Sequence, residues 1–160
     1  MDGEQNWRDG RDLTTIFDTI EFPDAYRVSY LANAIVIPAY DEVKRRFGII
    51  RAEYLLLCCL SHYRVLNAQD VALIARQPRN TVSRAVHRML SEGCIARAPD
   101  PGDGRQALLT ITPKGRALHV EVAETLRARQ EVVLDGLNAT ERETLSALLL
   151  KAAKHAAAHA

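Results

Sequence analysis

The sequence lacks features that several classes of protein require. Its three cysteines, Cys58, Cys59 and Cys94, form no CxxC pair, which argues against a disulfide framework and a structural zinc site. The longest apolar run, Tyr54–Leu60, is far shorter than a membrane span. There is no glycine-rich phosphate loop, no nucleophile elbow and no carboxylate pair in a recognisable motif. We therefore expect no enzyme activity, no metal, no cofactor and no membrane insertion.

Net charge is also scarce, but it is unevenly distributed. The chain carries a formal charge of only +1. Residues 1–25 hold seven acidic and two basic residues, whereas residues 76–105 hold six arginines and three acids. The near-neutral total therefore conceals a basic middle segment, which makes that segment a candidate functional region. We interpret residues 1–25 as an acidic arm, either mobile or with a short leading helix. Because they lack the basic and apolar parts of a secretory signal, we expect a cytoplasmic protein.

Hydrophobic periodicity predicts a helical first half. A helix is expected from Pro23 to about Phe47, ended by Gly48, and Pro38 inside it should kink or divide it. Residues 51–63 are apolar on nearly every side, which is typical of a central, buried helix.

Two further helices follow, separated by a short connection. Asn67 can cap a short helix that is interrupted at Pro78, and residues 79–92 form an amphipathic helix ended by Gly93. The apolar face of this second helix holds Val82, Ala85, Val86, Met89 and Leu90. The polar face holds Asn80, Thr81, Arg84, His87, Arg88 and Ser91.

The period then changes from helical to extended. Strands at residues 95–97 and 108–111 flank a dense turn signal at residues 99–104, which predicts a β-hairpin. Pro113 starts a helix that runs to about Leu134, and a capping box beginning at Asn138 starts the last helix.

This order of helices followed by a hairpin is that of a winged helix-turn-helix. In such folds the second helix of the pair enters the major groove of DNA, with its first residues at the base edges. Here these are Arg79, Asn80, Thr81, Ser83 and Arg84. Arginine can bind guanine and asparagine can bind adenine in bidentate fashion. We expect Arg88, one turn after Arg84, to meet a phosphate. The competing interpretation is an ordinary solvated helix face.

Three motifs resemble the MarR family of bacterial regulators. Asp100–Arg105 followed by Leu108–Gly115 is similar to the family's wing signature, D-x-x-D-x-R and L-T-x-x-G. Thr81-Val-Ser-Arg84 resembles the core of its recognition helix, and Leu137–Arg142 resembles the start of its last helix. The resemblance covers roughly residues 27–155.

The resemblance implies a mainly α fold with a small β-hairpin wing and an intertwined homodimer on duplex DNA. It implies one domain over residues 26–160, with a winged lobe at 51–112 and dimerisation helices at 26–48 and 113–160. Asp103 would orient Arg105, which would enter the minor groove. Gly104 departs from relatives that place a charge there, so the wing should grip less tightly. The implied function is a ligand-responsive repressor of transcription that binds a pseudo-palindromic operator.

A tyrosine-rich face on the first long helix has two interpretations. It is either dimer packing or part of a pocket for a small aromatic or anionic effector. The candidate ligand-binding residues are Arg27, Tyr30, Asn33, Tyr40 and His62.

Two alternatives stay open from the sequence. One is a cysteine redox-sensing regulator, in which Cys94 is expected to be more accessible than Cys58 or Cys59. The other is a helical dimerisation module that does not bind DNA.

Overall fold

The structure is a computed structural model that describes residues 7–8, 11–12, 14–102 and 107–159. The described chain is mostly helical with a β-hairpin after the fifth helix, as expected, and with a second, unpredicted antiparallel pair of short strands near its start. In chain order its elements are β1 (Trp7–Arg8), β2 (Arg11–Asp12), α1 (Ile16–Thr19), α2 (Pro23–Phe47), α3 (Arg51–His62), α4 (Ala68–Ile74), α5 (Arg79–Ser91), β3 (Ile95–Pro99), β4 (Ala107–Ile111), α6 (Pro113–Val133) and α7 (Ala139–Ala158).

The chain divides into two compact units. Residues 38–130 form one, hereafter the winged-helix unit, and residues 1–37 with 131–160 form the other, the terminal unit. The first division falls at Pro38, inside α2. Of the two effects predicted for Pro38, a kink or a division, the division is wrong, because α2 runs without interruption from Pro23 to Phe47. A proline removes one backbone donor, and the remaining bonds of a long helix hold the turns on either side.

The core of the winged-helix unit is built around α3. Leu56, Leu57 and Leu60 are at most 1% exposed, which confirms the prediction of a central, buried helix. The apolar face of α5 packs against them through Val82, Ala85 and Met89, as its spacing predicts. Burial of so many aliphatic side chains is the main stabilising contribution to this unit.

Local sequence signals explain where these helices begin and end. The side chain of Asn67 accepts from the Asp70 backbone at 2.9 Å, and the Asp70 carboxylate accepts from the Asn67 backbone at 3.1 Å. This reciprocal pair satisfies two backbone donors at the start of α4. Gly48 and Gly93 follow α2 and α5 with φ angles of +67° and +68°, the left-handed conformation that glycine adopts at low cost.

The base of the hairpin contacts the start of α6. β3 pairs with β4 from Ile95↔Ile111 to Pro99↔Ala107. Thr112 caps α6 through its hydroxyl, which accepts from the Gly115 backbone at 3.1 Å and donates to the Gly93 carbonyl at 2.7 Å. A Cβ atom at Gly115 would lie 2.0 Å from the Cys94 carbonyl oxygen. The Thr-Pro-Lys-Gly motif therefore sets the close approach of α6 to β3.

The terminal unit is packed differently. None of its described side chains is buried. α1 packs against the first half of α2, where the rings of Phe17 and Tyr30 meet edge-to-face with centroids 4.8 Å apart. The Arg142 guanidinium in α7 pairs with Glu131. Within the described residues, no helix is long and apolar enough to cross a membrane.

Candidate nucleic-acid interface

Helix α5 presents one polar face to solvent. Arg79, Asn80, Ser83 and Arg84 are exposed, and Thr81 is half-buried. Within the described residues no ion pair is recorded for Arg79 or Arg84, so both guanidinium groups keep their donors for an external acceptor. The Oδ1 atom of Asn80 accepts from the Thr81 backbone at 2.8 Å, whereas its Nδ2 has no hydrogen bond among the described residues.

The N-terminal end of α5 carries positive charge. Its first turn contains no acidic residue, and Pro78 at the cap position provides no side-chain acceptor. The free backbone donors and the helix dipole favour an anion at such an end. Together with Arg79 and Arg84, this end of the helix forms an electropositive surface.

Arg88 lies on the same helix but has protein partners. Its Nη2 donates to the Gly48 carbonyl at 2.7 Å, and its Nη1 lies 3.5 Å from Oε1 of Glu53. Glu53 is only 3% exposed, and its other oxygen accepts from the Ile50 backbone at 2.8 Å. The Arg88 guanidinium therefore neutralises a buried carboxylate and ties α5 to the α2–α3 junction. The phosphate contact of Arg88 stays a prediction, and local sequence spacing indicates neither of its protein partners because both are distant along the chain.

The structure describes both strands of the wing but only residues 100–102 of the loop between them. The strands end at Pro99 and begin again at Ala107. The carboxylate of Asp100 accepts from the Gly102 backbone at 2.8 Å, which bends the chain as the turn signal predicted. The candidate wing residues Asp103 and Arg105 lie outside the described residues.

The candidate effector residues fall in both units. In the terminal unit, Arg27 donates to the Phe17 carbonyl through Nε at 3.0 Å and Nη2 at 2.7 Å, and it lies 3.4 Å from Asp18. Tyr30 packs on Phe17, and Asn33 is exposed. These contacts account for the arginine and the tyrosine without a ligand.

Tyr40 and His62 belong to the winged-helix unit, where two unpredicted residues link them. The ring centroids of Tyr40 and Tyr54 are 6.2 Å apart, and the Tyr54 ring stacks on His119 at a centroid distance of 5.5 Å. The ring centroids of His119 and His62 are 6.3 Å apart. Burial raises the pKa of Tyr54 to about 12 and also raises that of Tyr40, so both phenols are neutral donors near neutral pH. Nδ1 of His119 is buried and has no partner among the described residues.

The environment of the cysteines disfavours redox sensing. Cys59 and Cys94 are buried and Cys58 is half-buried. The expectation that Cys94 is accessible is therefore wrong: it is 2% exposed and belongs to the buried hydrophobic core of the winged-helix unit. Burial raises the pKa of all three thiols, and the reactive form is the thiolate. No group of three metal-ligating side chains occurs in the described part of the chain.

Comparisons with known proteins agree with this geometry. The model of the MarR family matches residues 47–106. The HTH-type transcriptional regulator YxaD of Bacillus subtilis is 30% identical over 131 residues, which are 81% of this chain and 90% of YxaD. An HTH-type transcriptional repressor of Mycobacterium tuberculosis is 25% identical over 122 residues, which are 76% of this chain and 88% of that protein.

A solved structure gives the same fold. Bordetella bronchiseptica BpsR, whose DNA binding is regulated by 6-hydroxynicotinic acid, superposes with a TM-score of 0.70 at 25% identity. The superposition covers 81% of this chain and 98% of BpsR. These relatives are regulators of transcription rather than enzymes. The chain belongs to the MarR family and is a winged helix-turn-helix transcriptional regulator.

Proposed function

We propose that this regulator is a repressor that binds a pseudo-palindromic operator as a homodimer and releases it when a small aromatic acid binds. The observation that carries the DNA-binding part is the exposed face of α5, where Arg79 and Arg84 have no recorded ion pair within the described chain. Repression is the activity named for the Mycobacterium tuberculosis relative. Arg84 is suited to guanine and Asn80 to adenine in the major groove.

The proposed dimer rests on the exposed apolar residues of the terminal unit. Val28 and Ile37 on α2 are 55% and 57% exposed, and Leu148 and Leu150 on α7 are 60% and 56% exposed. Exposed apolar residues on two long helices are typical of a protein–protein interface. We propose that a second copy of the chain packs against them. We assign dimerisation to residues 26–48 and 113–160 and DNA binding to residues 51–112, as the sequence suggested.

Operator binding can be tested directly. A two-fold dimer requires half-sites about 10 bp apart, so that both α5 helices meet one face of the duplex. Selection of bound fragments from genomic DNA should recover such a pseudo-palindrome. Equal affinity for the selected fragment and for random duplex would contradict sequence-specific repression. Absence of binding to any duplex would favour a dimerisation module that has lost DNA binding.

The effector proposal is centred on Tyr40 and His62. These residues border the aromatic group formed with Tyr54 and His119, which supplies ring faces and polar atoms to an aromatic carboxylate. The regulation of BpsR by 6-hydroxynicotinic acid supports this chemical class. A preference of about 1–3 kcal/mol for the state that does not bind DNA weakens operator affinity roughly 5- to 150-fold.

The experiment titrates a panel of aromatic acids, starting with 6-hydroxynicotinic acid, against the protein–DNA complex. The Tyr40→Ala and His62→Ala variants should need higher acid concentrations to release DNA. Arg27→Ala tests the terminal unit, where Tyr30 and Asn33 are the other predicted ligand-binding residues. If effective acids release DNA equally well from all three variants, these side chains only pack, and the effector binds elsewhere.

A further inference from the structure

We propose that Arg76, in the turn between α4 and α5, binds a phosphate of the DNA backbone next to the recognition helix. This inference rests on the proposed DNA-binding function and adds a contact that recognition-helix and wing motifs do not include. Arg76 lies between the end of α4 and Pro78, which precedes the first turn of α5.

The backbone of Arg76 adopts a conformation that normally belongs to glycine. Its φ is +50°, and it is the only non-glycine residue with positive φ in the described part of the chain. The Gln77 backbone donates to the Ala72 carbonyl at 3.0 Å, which closes the usual C-terminal helix cap around a left-handed residue. The equivalent positions after α2 and α5 hold Gly48 and Gly93. An arginine at the third such position carries a conformational cost that glycine would avoid.

No side-chain hydrogen bond or ion pair of Arg76 in the described residues offsets this cost, and the backbone bonds of the cap would form equally well around glycine. Arg76 is exposed, and it has no ion pair or side-chain hydrogen bond in the described structure. Its charge is also close to other positive charge, because Arg79 and the uncapped, acid-free N-terminus of α5 follow directly. Arg88 differs, since its guanidinium reaches Glu53 and Gly48. The turn therefore concentrates positive charge that only an external anion can balance.

The position of the turn identifies that anion. The first residues of α5 are those proposed to meet base edges, and phosphates line both edges of the groove that the helix enters. A guanidinium held just ahead of this helix is placed to form charge-assisted hydrogen bonds with a phosphodiester. Such a contact sets register and affinity but does not read sequence.

The test compares Arg76→Gly with Arg76→Lys in the full-length protein. Binding to a random-sequence duplex is measured by fluorescence anisotropy at several NaCl concentrations. We expect Arg76→Gly to bind roughly tenfold more weakly, with a salt slope lower by about one unit per protomer, because one phosphate contact is lost from each. Arg76→Lys keeps the charge and should keep the slope. Arg64→Ala removes another exposed arginine, outside the turn, and should bind as the unchanged protein does.

Thermal unfolding separates a DNA contact from a structural role. Because glycine fits the left-handed backbone, Arg76→Gly should have a Tm equal to or above that of the unchanged protein. Unchanged affinity and salt slope in Arg76→Gly would overturn the inference while the proposed function stands. A fall in Tm that accompanies the weaker binding, or an Arg76→Lys variant as weak as Arg76→Gly, would also overturn it. Failure of the unchanged protein to bind any duplex would instead remove the proposed function itself.

Discussion

The two compact units differ in the burial of their apolar residues. Every buried hydrophobic residue that the structure describes lies between Ala39 and Val122, inside the winged-helix unit. The terminal unit has none, although its helices expose Leu31, Leu149 and Val132 by 39%, 48% and 64%. One unit thus has the core of an independently folding domain, whereas the other presents apolar helices without a cover.

The two units therefore differ in the role we expect of them as well as in their packing. In the winged-helix unit, buried contacts fix α5, so that its polar face is held rigidly for an external partner. In the terminal unit, apolar side chains themselves are the exposed feature, and the partner that suits them is another apolar helix surface. We expect substitutions in the first unit to alter DNA binding and local stability, and changes in the second to alter assembly.

The largest expected effect is on assembly. Removing residues 137–160 deletes α7 and should abolish the dimer, leaving an aggregating or unfolded product, because the apolar surface of the remaining helices loses its cover. Size-exclusion chromatography with light scattering and circular dichroism report this. A truncation after Lys154 removes only the end of α7, where every described residue is exposed, and serves as the control. A soluble monomer of intact helical content would contradict the role assigned to the terminal unit.

The next largest effect is on operator recognition by α5. Arg84→Ala should lower operator affinity by about 1–3 kcal/mol and relax the preference at one base position. Since Arg84 is exposed and no ion pair is recorded for it among the described residues, the Arg84→Ala variant should have the same Tm as the unchanged protein. Binding measured on the selected operator and on single-base variants checks this. The proposed base contact would be wrong if affinity and base preference were both unaffected.

Arg88 lies on the same helix, but its substitution, unlike that of Arg84, should lower the stability of the protein. Arg88→Ala leaves the buried Glu53 carboxylate without its cation, which should lower the free energy of unfolding by about 1–3 kcal/mol. Chemical denaturation measures the loss. Adding Glu53→Gln, which removes the charge and keeps an acceptor for the Ile50 backbone, should recover part of it. An additive double variant would mean that the two side chains do not interact energetically.

The wing should contribute less than α5. Arg105→Ala should weaken binding most where the flanking DNA is A·T-rich and its minor groove narrow. The salt slope should fall by about one unit per protomer, because one cation leaves each half of the interface. Anisotropy titrations on operators with A·T-rich and G·C-rich flanks measure both quantities. If neither changes, the wing makes no contact, and Gly104 beside Arg105 is then the first residue to replace.

Short-range signals allowed most of the winged-helix unit to be predicted. The spacing of Val82, Ala85 and Met89 identified the buried face of α5, and Gly93 identified its end, because both effects act within one or two helical turns. The capping pair of Asn138 and Glu141 likewise located the start of α7.

Contacts between distant residues could not be predicted in this way. The spacing of α5 places Arg88 on its polar face, but nothing local indicates a bond to Gly48 or a buried Glu53. Cys94 is predicted to be accessible because it lies just after a helix, whereas in the structure it joins a buried cluster whose other members are distant along the chain. Functional residues that depend on such packing require the three-dimensional structure.

The smallest expected effect is on the pH dependence of stability, and it is specific to the winged-helix unit. Burial, followed by the nearby charges of His62 and Arg116, lowers the pKa of His119. The folded state therefore binds a proton less readily than the unfolded state, so this group favours folding above its ordinary pKa of about 6.5 and loses that contribution as the pH falls towards the lower folded pKa. Unfolding free energies measured from pH 7.5 down to 5.5 should fall more steeply in the unchanged protein than in His119→Gln. The Ser61 hydroxyl lies 3.2 Å from Nε2 of His119, and a glutamine side chain can hydrogen-bond with this hydroxyl as donor or acceptor but does not titrate. Parallel pH profiles would show that protonation of His119 does not oppose folding, and that its ring stacks on Tyr54 without an electrostatic cost.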